Sequence, residues 1–312
     1  MKLIRMATGD ERTAVQLFET IRWGGCPACP RCGSTNVRQI MSKDGQREKH
    51  YRWRCKDCVG TARQFSVRTG SVLEETRLPL TIWAHAYWRA SASKKGVSAL
   101  QLARECSIRH QTALFLLNRI RWGMRNADAA KLTGTCEADE VYIGGRPRPK
   151  HLQPTWGNKL GRKGKYLPVV AVVQRDGPVR AQPMAKVTGE NVRQFLLANV
   201  NQTARLMTDE ASVYTRAGKL FSGGHQTVYH TRHEYVRGDV TTNRAESFFA
   251  LFRRKLHGTH HAVSQEHLFR YLDEAAFLFN TRKANDDERV RLAIKAGDGK
   301  RLMYRDRPSA AA

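Results

Sequence analysis

Asp139, Asp209 and Glu246 are the residues whose settings best suit chemistry in this chain. Asp139 lies within Glu137-Ala-Asp-Glu-Val-Tyr-Ile-Gly-Gly, Asp209 closes the short run Leu206-Met-Thr-Asp, and Glu246 ends Thr242-Asn-Arg-Ala-Glu. In-line displacement at phosphorus needs a deprotonated oxygen nucleophile and relief of charge on the leaving oxygen. Two divalent ions about 4 Å apart supply both, and carboxylates hold them. Mg²⁺ or Mn²⁺ takes carboxylates and water, so such a site draws about three acids from distant parts of a chain. Ligand sites in α/β sheets gather beyond the carboxyl ends of strands, which suits Asp209. Arg253 follows Glu246 by two helical turns on the same face, where it can meet a phosphate, with Arg254 beside it. Plainer readings stay open: Asp139 alone reads as a solvated acid, and Asn243-x-x-Glu246 as a capping box that merely begins a helix.

A second constellation is built of cysteine. Cys29-Pro-Arg-Cys32-Gly-Ser and Cys55-Lys-Asp-Cys58 are two CxxC knuckles, and tetrahedral Zn²⁺ takes four such thiolates. Cys26-Pro-Ala-Cys29 is also a CxxC, but Gly33 suits the turn after Cys32, so Cys26 is the spare thiol. With four protein ligands the zinc is structural, and the ribbon's role is fold nucleation and nucleic-acid contact. Cys106 and Cys136 read as buried structural thiols.

The elements that must carry these residues follow from periodicity. Residues 1–22 read as a helical lead-in and 23–75 as the ribbon, with strand-like pieces at 51–54 and 64–68. Helices are expected at 80–92, 97–105 and 110–124. The last two are joined by a four-residue polar turn, as in a helix-turn-helix or an ordinary helical hairpin. Arg109, His110 and Gln111 would open the recognition helix. Trp83, Trp88 and Trp122 at helical spacing read as core. From residue 136 the pattern becomes α/β. Strands are expected at 136–143, 167–174, 179–184 and 204–207, and helices at 190–200, 243–256 and 264–280. The run Leu167-Pro-Val-Val-Ala-Val-Val-Gln suits a strand buried on both faces. Residues 144–165 are a basic loop with seven Lys or Arg and no acid, placed to meet DNA or simply solvated. His230-Thr-Arg-His233 has spacing that could hold a metal, and one of the histidines could touch phosphate or position a water near the acids. Residues 286–312 read as a loose polar tail. The expected domains are 1–75, 76–128, 129–285 and 286–312.

Bulk composition narrows the partners. The 312 residues carry 54 Lys and Arg against 28 Asp and Glu, a formal charge of +26. Such a surplus repels itself unless a polyanion is near, and neutralised phosphates release counterions, so nucleic acid is the expected partner. No run of 18 apolar residues predicts a membrane span, and no apolar h-region follows Met1. Paired cysteines without an export signal point to a reducing compartment, the bacterial cytoplasm at the nucleoid.

From the ribbon to about residue 282 the chain resembles the bacterial insertion-sequence DDE transposases with an N-terminal zinc ribbon, the ISXO-like group. The resemblance rests on Cys29-Pro-Arg-Cys-Gly-Ser, Asp139-Glu-Val-Tyr-Ile-Gly-Gly, Thr242-Asn-Arg-Ala-Glu-Ser-Phe-Phe-Ala-Leu-Phe-Arg-Arg and His267-Leu-Phe-Arg-Tyr-Leu-Asp-Glu, in the family's order. It implies a ribonuclease-H-like catalytic domain with Asp139 and Asp209 as first and second acids. Glu246 takes the third position, for which Asn243 competes because that position can be Asn or Glu. A Lys often follows the third acid in this group, where this chain has Arg253 and Arg254. The implied activity is metal-dependent cleavage and joining of double-stranded DNA, at terminal inverted repeats and target sites, by at least a dimer. The rival readings are a DNA-binding regulator with an inert α/β domain and a nuclease that cuts without joining.

Overall fold

The computed structural model describes residues 7–126, 129–144 and 167–303. They cluster into two compact units: described residues up to Asn126 together with those from Thr281 on, and those from 129 to Asn280. The basic loop expected at 144–165 lies, beyond Gly144, outside the described residues.

The first unit joins the ribbon to five helices. Helix α1 (Glu11–Trp23) starts where the Asp10 carboxylate accepts the Thr13 N–H, and ends at Gly24, whose φ of +61° suits a residue without a Cβ. Strands β1 (Val37–Gln39), β2 (Trp53–Cys55) and β3 (Gln64–Phe65) form a three-stranded antiparallel sheet. Trp23 packs edge-on against Trp53 and Phe65. The Glu19 carboxylate accepts bonds from both Arg47 Nη atoms and from Trp53 Nε1 at 2.7–3.0 Å. The lead-in helix is thereby clamped to the ribbon by a bidentate pair.

Helices α2 (Leu80–Ala92), α3 (Ala99–Glu105) and α4 (His110–Met124) follow. Ser98 caps α3 by accepting the Gln101 N–H, and Ala113, Leu116, Leu117 and Ile120 are the buried stripe of α4. Trp83 is core, whereas Trp88 and Trp122 are half-buried, and Cys106 is half-buried rather than enclosed.

In the second unit the sheet order is β6-β5-β4-β7-β8. β4 (Thr135–Ile143), β5 (Leu167–Gln174) and β6 (Val179–Pro183) form an antiparallel meander. Helix α5 (Gly189–Asn199) then makes the crossover that a parallel neighbour requires. β7 (Arg205–Thr208) pairs parallel to β4, and β8 (His225–Thr227) parallel to β7, with the short helix α6 (Thr215–Gly218) between them. This is the ribonuclease-H-like arrangement that the resemblance implied. Alternate residues of β5 explain its apolar run. Val170 and Val172 enter a core with Phe195, Leu196 and Tyr214, while Val169, Ala171 and Val173 enter another with Phe248, Phe249 and Leu272. The second core is closed by α7 (Asn243–Lys255) and α8 (Leu268–Asn280), which the small hairpin β9 (Val236–Arg237) and β10 (Val240–Thr241) precedes. Lys255 and Glu274, both almost fully buried, pair at 2.7 Å and tie α7 to α8.

The loose tail expected at 286–312 is corrected over 286–295, and its residues 304–312 lie outside the described residues. Asp286–Lys295 forms helix α9, which packs on α1 and α2 through Val290, Ala293 and Ile294. Its start was coded locally: the Asn285 side chain accepts the Glu288 N–H, and Asp286, Asp287 and Glu288 complement the helix dipole. Ile294→Ala should therefore cost about 2–5 kcal/mol, seen as a lower thermal midpoint of the full chain. A tail free in solvent would give no change.

Candidate metal centres

The knuckles are set by backbone geometry. Gly33 sits at φ +75° and donates its N–H to the Cys29 carbonyl at 2.8 Å, closing the turn that aims Cys29 and Cys32 at one point. The second pair closes from β2 and the residues that follow it. The sulfurs of Cys29, Cys32, Cys55 and Cys58 all lie within 4.8 Å of one another. Cys29–Cys58 is 3.8 Å, Cys32–Cys55 3.6 Å and Cys32–Cys58 3.4 Å. A tetrahedron with Zn–S bonds of about 2.3 Å has edges of about 3.8 Å, so the four thiols fit zinc. Burial opposes ionisation of Cys29, but the N–H groups of Arg31 and Cys32 outweigh it and bring its pKa down to about 7. Its crowded neighbour Cys58, hydrogen-bonded to Cys32, is pushed up to about 12. Four thiolates cannot share this space without a cation. Cys26 is exposed and outside the cluster, while Cys136 is buried, and that burial pushes its thiol up to about 12.

The acids converge through strand register. β4 pairs with β7 as Thr135↔Arg205, Cys136↔Leu206 and Glu137↔Met207. Continued by two residues, that register sets Asp139 level with Asp209. There β7 has ended, so the edge of β4 is open. Carboxylate oxygens of Asp139, Glu140 and Asp209 lie within 4.8 Å of one another. Burial, then the charges of Asp209, Glu140 and Glu246, push the Asp139 carboxyl up to about 7 against a bond from the Glu140 N–H. Burial also raises Asp209 and Glu140. Among the described residues no Lys or Arg pairs with Asp139 or Asp209. An all-oxygen donor set of crowded, uncompensated acids fits a hard divalent cation, Mg²⁺ or Mn²⁺.

Glu140 was not singled out from sequence. Period-two alternation sends it to the face opposite Asp139, where Tyr214 donates to its Oε2 at 2.6 Å. Only the open edge of β4 lets it reach the other two. Glu137, one alternation before Asp139, is fully buried and differently used. It pairs with Arg175 Nε at 2.9 Å and accepts the Arg244 N–H at 2.7 Å. This bond fixes the start of α7, and with it Glu246 in the first turn, to the acid-bearing strand.

The plainer alternative for Glu246, a capping box with Asn243, is not formed. Asn243 is already the first helical residue, the preceding Thr242 makes no side-chain cap, and Thr242 Oγ1 instead donates to Glu246 Oε1 at 3.3 Å. Asn243 and Glu246 are both exposed, and Glu246 stands outside the 4.8 Å cluster, although its charge acts on Asp139. Arg253 and Arg254 are exposed near the end of α7, whereas Lys255 is sequestered with Glu274. In the first unit Arg109, His110 and Gln111 are exposed where α4 begins. His230 opens a 3-10 turn that ends at His233 with φ +58°, and neither histidine belongs to a three-ligand metal cluster among the described residues. His230 instead reaches Glu246, its Nε2 lying 3.9 Å from Oε1.

No helix among the described residues is long and apolar enough to cross a membrane. Residues 131–280 match the ISXO2-like transposase domain, and residues 9–61 the transposase zinc-ribbon domain. No curated protein matches. Among solved structures, a Mos1 transposase paired-end complex with left transposon end aligns at 17% identity and a TM-score of 0.29, over 66% of this chain and 75% of that one. A pre-cleavage Mos1 transpososome aligns at 15% and 0.29 over the same shares.

Two outcomes follow. The full chain should carry one zinc by metal analysis, lose it with a fall in thermal midpoint in Cys55→Ser, and keep it in Cys26→Ser. The raised Asp139 carboxyl means the folded state holds a proton that the unfolded state releases above about pH 4. Without added Mg²⁺ or Mn²⁺, stability thus falls as pH rises towards 7, by up to about 4 kcal/mol. Asp139→Asn should raise the thermal midpoint at pH 8 and leave it unchanged at pH 4; equal effects at both would refute the shift.

The two domain matches meet the two metal-suited centres in the order the sequence resemblance required, and the chain belongs to the insertion-sequence DDE transposases that carry an N-terminal zinc ribbon.

Proposed function

We propose that this transposase cleaves element ends and joins them to target DNA with Asp139, Asp209 and Glu246 as the acids that hold its catalytic ions. The observation that carries the reading is the convergence of Asp139 and Asp209, from two different strands, into a cluster within 4.8 Å. Clustered acids of this kind are stable at neutral pH when cations share the charge. Bound there, two divalent ions supply activation of the attacking oxygen and neutralisation of the leaving one.

The chain's own residues do the rest. Asp139 and Asp209 are set by sheet register and so offer a rigid base. Glu246, on the first turn of α7, offers a movable third carboxylate, which binds a cation more strongly than the Asn243 amide would. Arg253 and Arg254 stand on the exposed side of the same helix, suited to clamping a DNA phosphate in two-pronged fashion. Arg109, His110 and Gln111 lie at the start of a helix that follows a tight turn, the place from which a recognition helix reads base edges. The formal charge of +26 supports affinity for the duplex backbone. Bringing two element ends together calls for at least two copies of the chain on DNA.

The test is strand cleavage and strand transfer on labelled element ends with Mg²⁺ or Mn²⁺. Asp139→Asn, Asp209→Asn and Glu246→Gln should each retain end binding while losing on the order of a thousandfold in rate, as expected when several kcal/mol of charge stabilisation is removed. Full activity in Asp139→Asn would sink the assignment. End binding with no metal-dependent cleavage by the unaltered protein would favour a regulator.

A further inference from the structure

Of the three proposed acids, Glu246 alone is not fixed by the sheet. Its side chain is 47% exposed, and the hydrogen bond it receives, from Thr242 Oγ1, is a long 3.3 Å. A glutamate so weakly tethered must surrender rotamer freedom whenever it is drawn into a defined position.

His230 faces it. The Nε2 atom lies 3.9 Å from Glu246 Oε1, has no access to solvent and makes no hydrogen bond among the described residues. A buried polar nitrogen without a partner costs about 1–3 kcal/mol and calls for an explanation. The rest of His230 is held firmly. Glu210, the residue after Asp209, accepts the backbone N–H of His230 at 2.7 Å and that of Thr231 at 3.0 Å. The Tyr235 ring packs against the imidazole at 5.2 Å between centroids. The imidazole is thus anchored, through Glu210, to the segment that carries the second acid, while its unsatisfied nitrogen faces the third.

We propose that His230 is a positioning residue whose Nε2–H donates to Glu246 Oε1 and holds that carboxylate toward Asp139 and Asp209. The inference rests on the reading of these acids as ion ligands. Closing 3.9 Å to a hydrogen bond of about 2.8 Å takes a shift of about 1 Å, which rotation about the Glu246 side-chain bonds supplies. The link would orient a ligand from behind, as carboxylate and imidazole partners of metal ligands do.

The experiment measures Mn²⁺ binding to the zinc-loaded full chain by electron paramagnetic resonance, with no turnover involved. Asp139→Asn is the control for the site: if it left Mn²⁺ binding intact, the acid cluster would not be the ion site and this inference would fall with it. If it removes binding, the histidine is tested separately. His230→Ala is expected to weaken Mn²⁺ binding by about 10–100-fold. His230→Gln, whose amide can donate from a similar place, should recover most of it at an unchanged thermal midpoint. Once Glu246→Gln is present, adding His230→Ala should cause little further loss, because the two act through one link. Unaltered binding in His230→Ala, or an undiminished loss in the Glu246→Gln background, would overturn the role while leaving the acids in place. A directly coordinated nitrogen in the pulsed spectrum of the unaltered protein would also overturn it, by making His230 itself a ligand.

Discussion

Repulsion between carboxylates at an open sheet edge is the constraint around which the second unit is organised. Asp139 and Asp209 are separated by a long stretch of chain, yet parallel pairing of β4 with β7 sets them side by side. A protein does not gain stability from such an arrangement, since buried like charges raise each other's pKa and oppose folding at neutral pH. The cost is tolerable because the sheet beneath is rigid: β4 and β5 share eight paired positions, and β5 is buried on both faces. Strain of this kind persists only where the surroundings over-determine it.

The neighbouring Glu137 shows what an acid looks like when the fold satisfies it. It sits one alternation from Asp139 on the same strand, and is more deeply buried. Arg175 and the Arg244 N–H answer its charge, whereas Asp139 receives one backbone bond and three negative neighbours. The contrast is a physical criterion that composition cannot supply. Two acids in one strand have opposite environments, and the unsatisfied one is the candidate for chemistry. Glu137 also gives the helical acid its place, because it holds the first turn of α7 against the strand.

Much of this was legible in the sequence wherever a period or a spacing carried it. The helices Leu80–Ala92 and His110–Met124 and the strand Leu167–Gln174 were readable from apolar periodicity, and the cysteine pairing from the turn at Gly33. What escaped had weak local signals or depended on long-range pairing. β8 and the two strands of the β9–β10 hairpin are two or three residues long, too short for alternation to register. Helix α9 was hidden by its charge, although its buried Val290, Ala293 and Ile294 keep helical spacing. Glu140 was hidden by the alternation rule itself, because only the point at which β7 ends decides that its carboxylate can reach Asp139. The capping-box reading of Asn243 failed for a related reason: a helix's first residue is set by what anchors it, here Glu137, more than by the local pattern.

The two centres differ in a way that matches two different tasks. Four soft sulfurs at tetrahedral separations complete a coordination shell and leave no room for substrate, so the ribbon can only stabilise and present its unit. The acidic cluster of Asp139, Glu140 and Asp209 is hard and oxygen-only, and the exposed Glu246 stands outside it. Divalent ions of the Mg²⁺ type keep several positions for water and phosphate oxygens and need few protein ligands. A shell completed by protein would bind the cation more tightly and exclude the phosphate. On the proposed reading, a third carboxylate on a helix, tethered by a hydroxyl and faced by an imidazole, would leave open the positions that a phosphodiester must fill.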